Sequence, residues 1–188
     1  NNTDREVERQ SIVVDRSLEK KDKATVYNEV ALSRASLASC CISTDGTLIL
    51  CSTQDYNICS YSVPRAAILS SLMVHEENIT ALHLDKSGAF LLTGCIDSSV
   101  RLWTILPGGM LSRAPLLELF DLEHPVDAVA LLTEPIIGSR VPTRTRCRLI
   151  AAGCSDGIVG LWKVLECTDT GAVLIGQIIE KVSVIREH

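Results

Sequence analysis

The stretch Gly94-Cys95-Ile96-Asp97-Ser98-Ser99-Val100-Arg101-Leu102-Trp103 places an aspartate six residues before a tryptophan. It follows the apolar run Phe90-Leu91-Leu92-Thr93, which is itself preceded by the polar pair Ser87-Gly88. Small polar residues favour tight turns, and short apolar runs between such turns favour strands. The region from Ile79 to Trp103 is therefore predicted to form three strands joined by two turns.

The same pattern occurs three times along the chain. Two further pairs have the six-residue spacing, and they are Asp55 with Tyr61 and Asp156 with Trp162. Residues 37–59 also align with residues 79–101 without a gap. A repeat of about forty residues with about four short strands per copy indicates propeller blades, whereas solenoid repeats of similar length contain helices.

The pattern resembles the WD-repeat β-propeller family. The resemblance depends on His75, Thr93, Asp97 and Trp103, which match the hydrogen-bonded tetrad of that family, and in weaker form it covers roughly residues 31–180. It implies an all-β fold made of blades with four antiparallel strands, in which the tetrad is structural. It also implies a binding platform, because most members of the family bind other proteins.

The tetrad is predicted to be complete in one copy. Cys51 and Ala152 occupy the position of Thr93 in the other two copies, and Ser33 replaces His75 in the first. His124 lies two residues before Val126, a different spacing from that of His75, so its part in a tetrad is doubtful. The remaining repeat-equivalent residues are expected to be structural, and they are Asp55, Tyr61, Asp156 and Trp162.

The repeats divide the chain into five segments. These are a charged lead-in at 1–36, which is either part of a preceding blade or a disordered tail, blade one at 37–74, blade two at 75–122, blade three at 123–180 and a lead into a further repeat at 181–188. In blade one, strands are predicted at 37–42, 47–51, 56–61 and 66–73, and Asp45-Gly46 suggests a type I′ turn. A propeller needs at least about four blades to close, so an incomplete ring or a fragment of a larger protein is expected.

Composition excludes several classes of function. The net charge of −5 argues neither for nor against any partner, but the aromatic content of 4% leaves few side chains for base stacking, so nucleic acid is not the default ligand. No apolar run approaches the roughly 20 residues that span a membrane. The eight cysteines include no Cys-x-x-Cys motif, so no metal or other cofactor is predicted. We expect Cys40, Cys95 and Cys154 to be core thiols, which favours an intracellular location, cytoplasmic or nuclear.

Blade three contains an insertion. Val126 to Trp162 spans 36 residues, whereas Ile79 to Trp103 spans 24. The extra twelve residues are predicted to form a loop within 134–148, on the same face as the loop at 106–115. Guanidinium groups bind carboxylates and phosphates through paired hydrogen bonds. The candidate partner-binding residues of this insertion are Arg140, Arg144, Arg146 and Arg148.

Three functions are compatible with this reading. The favoured one is a non-catalytic protein-interaction scaffold in an intracellular multiprotein complex, which binds other proteins, for example through an acidic peptide or surface. The alternative is a nucleic-acid-associated propeller in RNA processing or ribosome assembly that uses the Arg-rich loop. A propeller-based enzyme comes last, because the sequence has no phosphate-binding loop, nucleophile elbow or metal-binding histidine pair, and no catalytic residue is assigned.

Overall fold

The computed structural model describes residues 31–135, 145–167 and 178–179. Within these ranges the chain forms three antiparallel sheets of four strands, which correspond to blades one, two and three. Blade one contains β1 (Leu37–Ile42), β2 (Leu48–Thr53), β3 (Asn57–Ser62) and β4 (Ala67–Met73). Blade two contains β5 (Ile79–Leu84), β6 (Phe90–Cys95), β7 (Val100–Thr104) and β8 (Leu117–Leu119). Blade three contains β9 (Val126–Pro135), β10 (Thr145–Cys154), β11 (Val159–Cys167) and β12 (Ile178–Ile179).

The strands follow one another in sequence order within each sheet, and none of the three sheets closes on itself. The predicted all-β architecture of four-stranded antiparallel blades is confirmed. No helix in the described part of the chain is long and apolar enough to cross a membrane. The predicted half blade before residue 31 and the lead at 181–188 lie outside the described residues.

The core lies between neighbouring blades. Successive residues of a strand point to opposite faces, so each sheet can contribute to two interfaces. In β6, Leu91 packs into the cluster between blades one and two, and Leu92 packs into the cluster between blades two and three. Thr80 adds a polar link, because its hydroxyl donates to the carbonyl of Val126 in blade three. Blade two is therefore covered on both faces.

The first turn of blade one differs from the prediction. A type I′ turn needs positive φ at both central residues, but of the pair Asp45-Gly46 only Gly46 has a positive φ, at 70°. The amide of Gly46 donates to the carbonyl of Ser43 at 2.9 Å, and the Asp45 carboxylate accepts the amide of Thr47 at 3.0 Å. Because the carboxylate supports the turn, Asp45 does not need the left-handed conformation.

The connection between the first two strands of blade three is shorter than the loop predicted within 134–148. β9 extends to Pro135 and β10 begins at Thr145, so Arg146 and Arg148 belong to a strand rather than to a loop. Arg148 is fully buried, on the same face of β10 as the buried residues Ile150 and Ala152. Its guanidinium carbon lies 3.9 Å from the ring centroid of Phe90 in blade two. Stacking on an aromatic face from the neighbouring blade explains why this arginine is inside.

The cysteines divide into two groups by exposure. Cys95 is fully buried and Cys154 is 9% exposed, as predicted for core thiols. Cys40 is exposed, so the prediction for this residue is wrong. The reason is that its neighbour Cys41 packs towards blade two, which directs Cys40 to the opposite face of blade one.

Candidate functional site

The structure joins the four tetrad residues of blade two in one polar chain. Thr93 Oγ1 lies 2.7 Å from His75 Nε2 and accepts a hydrogen bond from Trp103 Nε1 at 3.1 Å. His75 Nδ1 lies 3.9 Å from Asp97 Oδ2, and the hydroxyl of Ser99 is closer to that nitrogen, at 3.3 Å. The polar chain therefore joins strands β6 and β7 to the segment that precedes β5.

Burial determines the charge states of this cluster. It lowers the pKa of His75 to about 4, and the nearby guanidinium of Arg101 acts in the same direction. The imidazole is consequently neutral at pH 7. Burial also opposes ionisation of Asp97, but hydrogen bonds from Ser99 outweigh it and leave the pKa of this carboxyl below its usual value. Thr93 is fully buried, so its hydroxyl lies inside the blade.

The equivalent positions in blade one form a different arrangement. Tyr61 is buried, at 6% exposure, and Cys51 occupies the position of the tetrad hydroxyl. Asp55 accepts a hydrogen bond from the Thr53 hydroxyl within the turn that joins β2 to β3. The aspartate therefore stabilises a turn in this blade, although no relay to an aromatic side chain extends from it.

Blade three retains parts of the tetrad. His124 Nε2 lies 3.6 Å from Asp156 Oδ2, so these two residues pair in spite of the altered spacing of His124. Asp156 also accepts the amide of Ile158 at 3.0 Å. Trp162 is 3% exposed, and its Nε1 has no hydrogen-bond partner. Ala152 explains this, because it has no hydroxyl where Thr93 stands in blade two.

A groove lies between blades one and two at the edge formed by their β1–β2, β3–β4, β5–β6 and β7–β8 connections. Its volume is about 720 Å³. Its lining includes the apolar side chains of Leu48, Leu69 and Ile105 and the more polar Asp45 and Arg65. This size and mixture of residues are typical of ligand-binding clefts.

Two features shape the groove. The hydroxyl of Thr44 donates to the carbonyl of Lys86 at 3.0 Å and joins the turns of the two blades. The loop Pro107-Gly108-Gly109 closes one side, with φ of 93° and 88° at the two glycines. A Cβ atom at Gly109 would lie 2.7 Å from Leu69 Cδ1, so glycine is needed for this close approach. The sequence predicts the loop at 106–115 but not the groove, because the two sides of the groove come from different repeats.

The structure separates the four arginines that were expected to form one patch. Arg140 and Arg144 lie outside the described residues. Arg146 is in β10, where its Cα pairs with Pro135 and Glu166 on the neighbouring strands. Arg148 is buried against Phe90, which removes it from any solvent-facing patch of this chain.

We expect native alkylation to separate the exposed thiol from the buried ones. Burial raises the pKa of Cys51 and of Cys95 to about 11, so both are protonated at pH 7 and react slowly. Cys40 is exposed and should be modified first. Mass spectrometry after brief treatment with iodoacetamide measures this order, with guanidinium-unfolded protein as the control. Equal labelling of Cys40 and Cys95 in the native protein would contradict the structure.

Comparisons with known proteins agree with the fold. Residues 67–104 match the family described as WD domain, G-beta repeat. The chain is 26% identical over 144 residues to Periodic tryptophan protein 2 homolog from Schizosaccharomyces pombe, an alignment that covers 76% of this chain. The chain spans 15% of the length of that curated relative.

Two solved structures are similar. The β-propeller domain of Cps50 (Swd1) from Myceliophteria thermophila is 18% identical, with a TM-score of 0.52, and the alignment covers 76% of this chain and 38% of that one. The WD40 repeats of RRP9 are 16% identical, with a TM-score of 0.54 and coverage of 69% and 36%. At such low sequence identities, the similarity to these two structures concerns the fold alone.

The repeated Asp-to-aromatic spacing, the tetrad of blade two and the four-stranded sheets define a class of protein, the WD-repeat β-propellers. Residues 67–104 match the WD repeat, and the fold of the described blades is that of a WD-repeat β-propeller. Its three described blades form an open array.

Proposed function

We propose that this chain is a non-catalytic scaffold that binds an extended, acidic segment of a partner protein in the groove between blades one and two. The observation that carries the proposal is the groove of about 720 Å³ between the connections of neighbouring blades. WD repeats generally mediate contacts between proteins, and residues 67–104 match this repeat.

The lining of the groove suits a peptide. Leu48, Leu69 and Ile105 provide an apolar floor on which alternate side chains of an extended segment can pack. Arg65 is exposed at the edge and forms no ion pair among the described residues. Its guanidinium is thus free for a carboxylate of a partner. Asp45 is held by the hydroxyl of Ser43 and by Thr47, which lower its pKa and occupy its oxygens within the turn.

The chemistry of the described residues supports a non-catalytic role. Among the described residues, the hydroxyls of Thr93 and Ser99 both lie within hydrogen-bond distance of the His75 imidazole, and both residues are fully buried. An intracellular location, cytoplasmic or nuclear, is part of the proposal. It is supported by the free thiols Cys40, Cys41, Cys51, Cys59 and Cys95, because such thiols persist in reducing compartments.

The alternative remains a nucleic-acid-associated propeller in RNA processing or ribosome assembly. It would use Arg140, Arg144 and Arg146 on phosphates, and the burial of Arg148 reduces the proposed patch to these three residues. The same three residues are proposed to extend the protein-binding surface if the partner is an acidic peptide. Competition between the two ligands separates these functions.

Charge reversal at the groove tests the scaffold function. Arg65→Glu should weaken binding of a labelled peptide of alternating Glu and Leu by roughly fivefold to tenfold, because an attraction becomes a repulsion. The matched control is Lys163→Glu, which makes the same charge change on the exposed side of β11. Fluorescence anisotropy with the full chain measures the affinity of both variants for the peptide. A neutral peptide with Gln in place of Glu should bind Arg65→Glu and the wild type with the same affinity.

The loop glycines provide a second control pair. Gly109→Ala should also weaken peptide binding, because the added methyl group would push against Leu48 and Leu69 in the floor. Gly108→Ala has the same positive φ but nothing within 4 Å of the new Cβ, so it should bind normally. Equal affinity of Arg65→Glu, Gly109→Ala and their controls would overturn the proposed groove. Displacement of the peptide by single-stranded RNA would favour the nucleic-acid alternative.

A further inference from the structure

We propose that His75, Cys95 and Asp97 of blade two form a binding site for a divalent cation of the zinc class. His75 offers Nδ1, Cys95 offers Sγ and Asp97 offers a carboxylate oxygen, and these three atoms lie within 4.8 Å of one another. The inference goes beyond the proposed scaffold function, because the site lies at the β6–β7 turn and not in the groove.

The donor set matches the coordination chemistry of zinc. Zn²⁺ binds imidazole nitrogen, thiolate sulfur and carboxylate oxygen at about 2.0–2.3 Å, so neighbouring ligand atoms in a tetrahedral site are about 3.3–3.6 Å apart. His75 Nδ1 and Asp97 Oδ2 are 3.9 Å apart, close to that separation. The Asp97 side chain is 26% exposed, so it can approach the cation and leave a fourth position open to water.

The tetrad holds the histidine in a suitable orientation. A metal-bound imidazole usually donates its other N–H to a neighbouring group, which fixes the ring. His75 Nε2 lies 2.7 Å from Thr93 Oγ1, which can accept that proton while its own hydroxyl donates to the carbonyl of Arg101 at 3.3 Å. Nδ1 is then unprotonated, and it lies 3.9 Å from Asp97 Oδ2 and 3.3 Å from the Ser99 hydroxyl, which a cation would displace. The residues that support the blade thus also provide the outer shell of the site.

The equivalent positions in blades one and three show which side chains the proposed cation site needs. In blade one, Thr53 stands at the position of Cys95, and its hydroxyl donates to Asp55, so the soft sulfur ligand is missing there. Blade three contains the same residue types at His124, Cys154 and Asp156. Among the described residues, however, the blade-two group is the one that brings three such ligand atoms within 4.8 Å. The chain therefore contains its own matched control for the site.

Titration of the full chain with Co²⁺ tests the proposal. Binding of Co²⁺ to a thiolate produces a charge-transfer absorption in the near ultraviolet, and Zn²⁺ should remove that absorption by displacing the cobalt. We expect one equivalent of Co²⁺ in the wild type, loss of the thiolate absorption in Cys95→Ser, and an unchanged titration in Cys154→Ser. Cys95→Ser should fold, because a hydroxyl-bearing residue already occupies this position in blade one.

A second variant keeps the test decisive. Asp97→Asn retains the size of the side chain and should weaken Co²⁺ binding by more than tenfold while circular dichroism shows the same strand content. The absence of thiolate absorption in the wild type would overturn the proposal. So would absorption that persists in Cys95→Ser or disappears in Cys154→Ser. Failure of the groove variants leaves the Co²⁺ result unaffected, so the two proposals are tested separately.

Discussion

Gly94→Ala should destabilise the protein by about 1–3 kcal/mol, the cost of overpacking a well-filled interface. A Cβ atom at this position would lie 2.6 Å from Val126 Cγ1 and 2.9 Å from Val129 Cγ1. Val126 is fully buried, so its side chain cannot move into solvent. The extra methyl group must therefore separate β6 of blade two from β9 of blade three, which also strains the hydrogen bond from Thr80 to the carbonyl of Val126.

Gly153→Ala is the matched control for this substitution. Gly153 occupies the same repeat position in blade three, but its new Cβ would meet only Ala128 Cβ, at 3.9 Å. Alanine also restricts the unfolded chain, so this variant should be neutral or more stable by about 0.4–1 kcal/mol. Urea unfolding followed by tryptophan fluorescence measures both. Equal midpoints for the two variants would show that the contact between blades two and three is looser than the structure indicates.

Local sequence patterns were sufficient to predict the blades. The four strands predicted in blade one agree with β1 to β4 within two residues at each end. Strand alternation and turn residues are local signals, and the short connections of this blade leave few alternatives. The resemblance to WD repeats predicts the tetrad of blade two, and the structure places His75, Thr93 and Trp103 within hydrogen-bond distance of one another through the Thr93 hydroxyl.

Contacts between repeats could not be predicted in the same way. The sequence predicts Arg148 as a partner-binding residue of a loop, but this arginine lies in β10 and is buried because Phe90, from a different repeat, provides a ring for its guanidinium. The groove has one wall in each of two repeats. The proposed cation site combines Cys95 and Asp97, which are two residues apart, with His75, which lies in the segment before β5. In each case the missing information was which faces of neighbouring blades meet.

The buried hydroxyl of blade two provides the second large effect that we expect. Thr93→Val keeps the shape of the side chain but removes the group that lies 2.7 Å from His75 Nε2 and accepts from Trp103 Nε1 at 3.1 Å. A buried polar group left without a partner costs about 1–3 kcal/mol. This substitution leaves two such groups, His75 Nε2 and Trp103 Nε1. Thr104→Val on the neighbouring strand controls for the residue change, because its position is partly exposed.

Blade three allows the reverse experiment. Trp162 Nε1 is buried without a partner where Ala152 stands in place of the hydroxyl residue. Ala152→Ser should supply an acceptor and stabilise the protein by about 0.5–1.5 kcal/mol, the usual net contribution of one hydrogen bond. The free energy of unfolding in urea should therefore decrease for Thr93→Val and increase for Ala152→Ser. If both variants unfold at the wild-type midpoint, the hydroxyl is not what stabilises the buried histidine and tryptophan side chains. A decrease for Ala152→Ser would instead mean that blade three has no room for the added oxygen and that its tryptophan is held by packing alone.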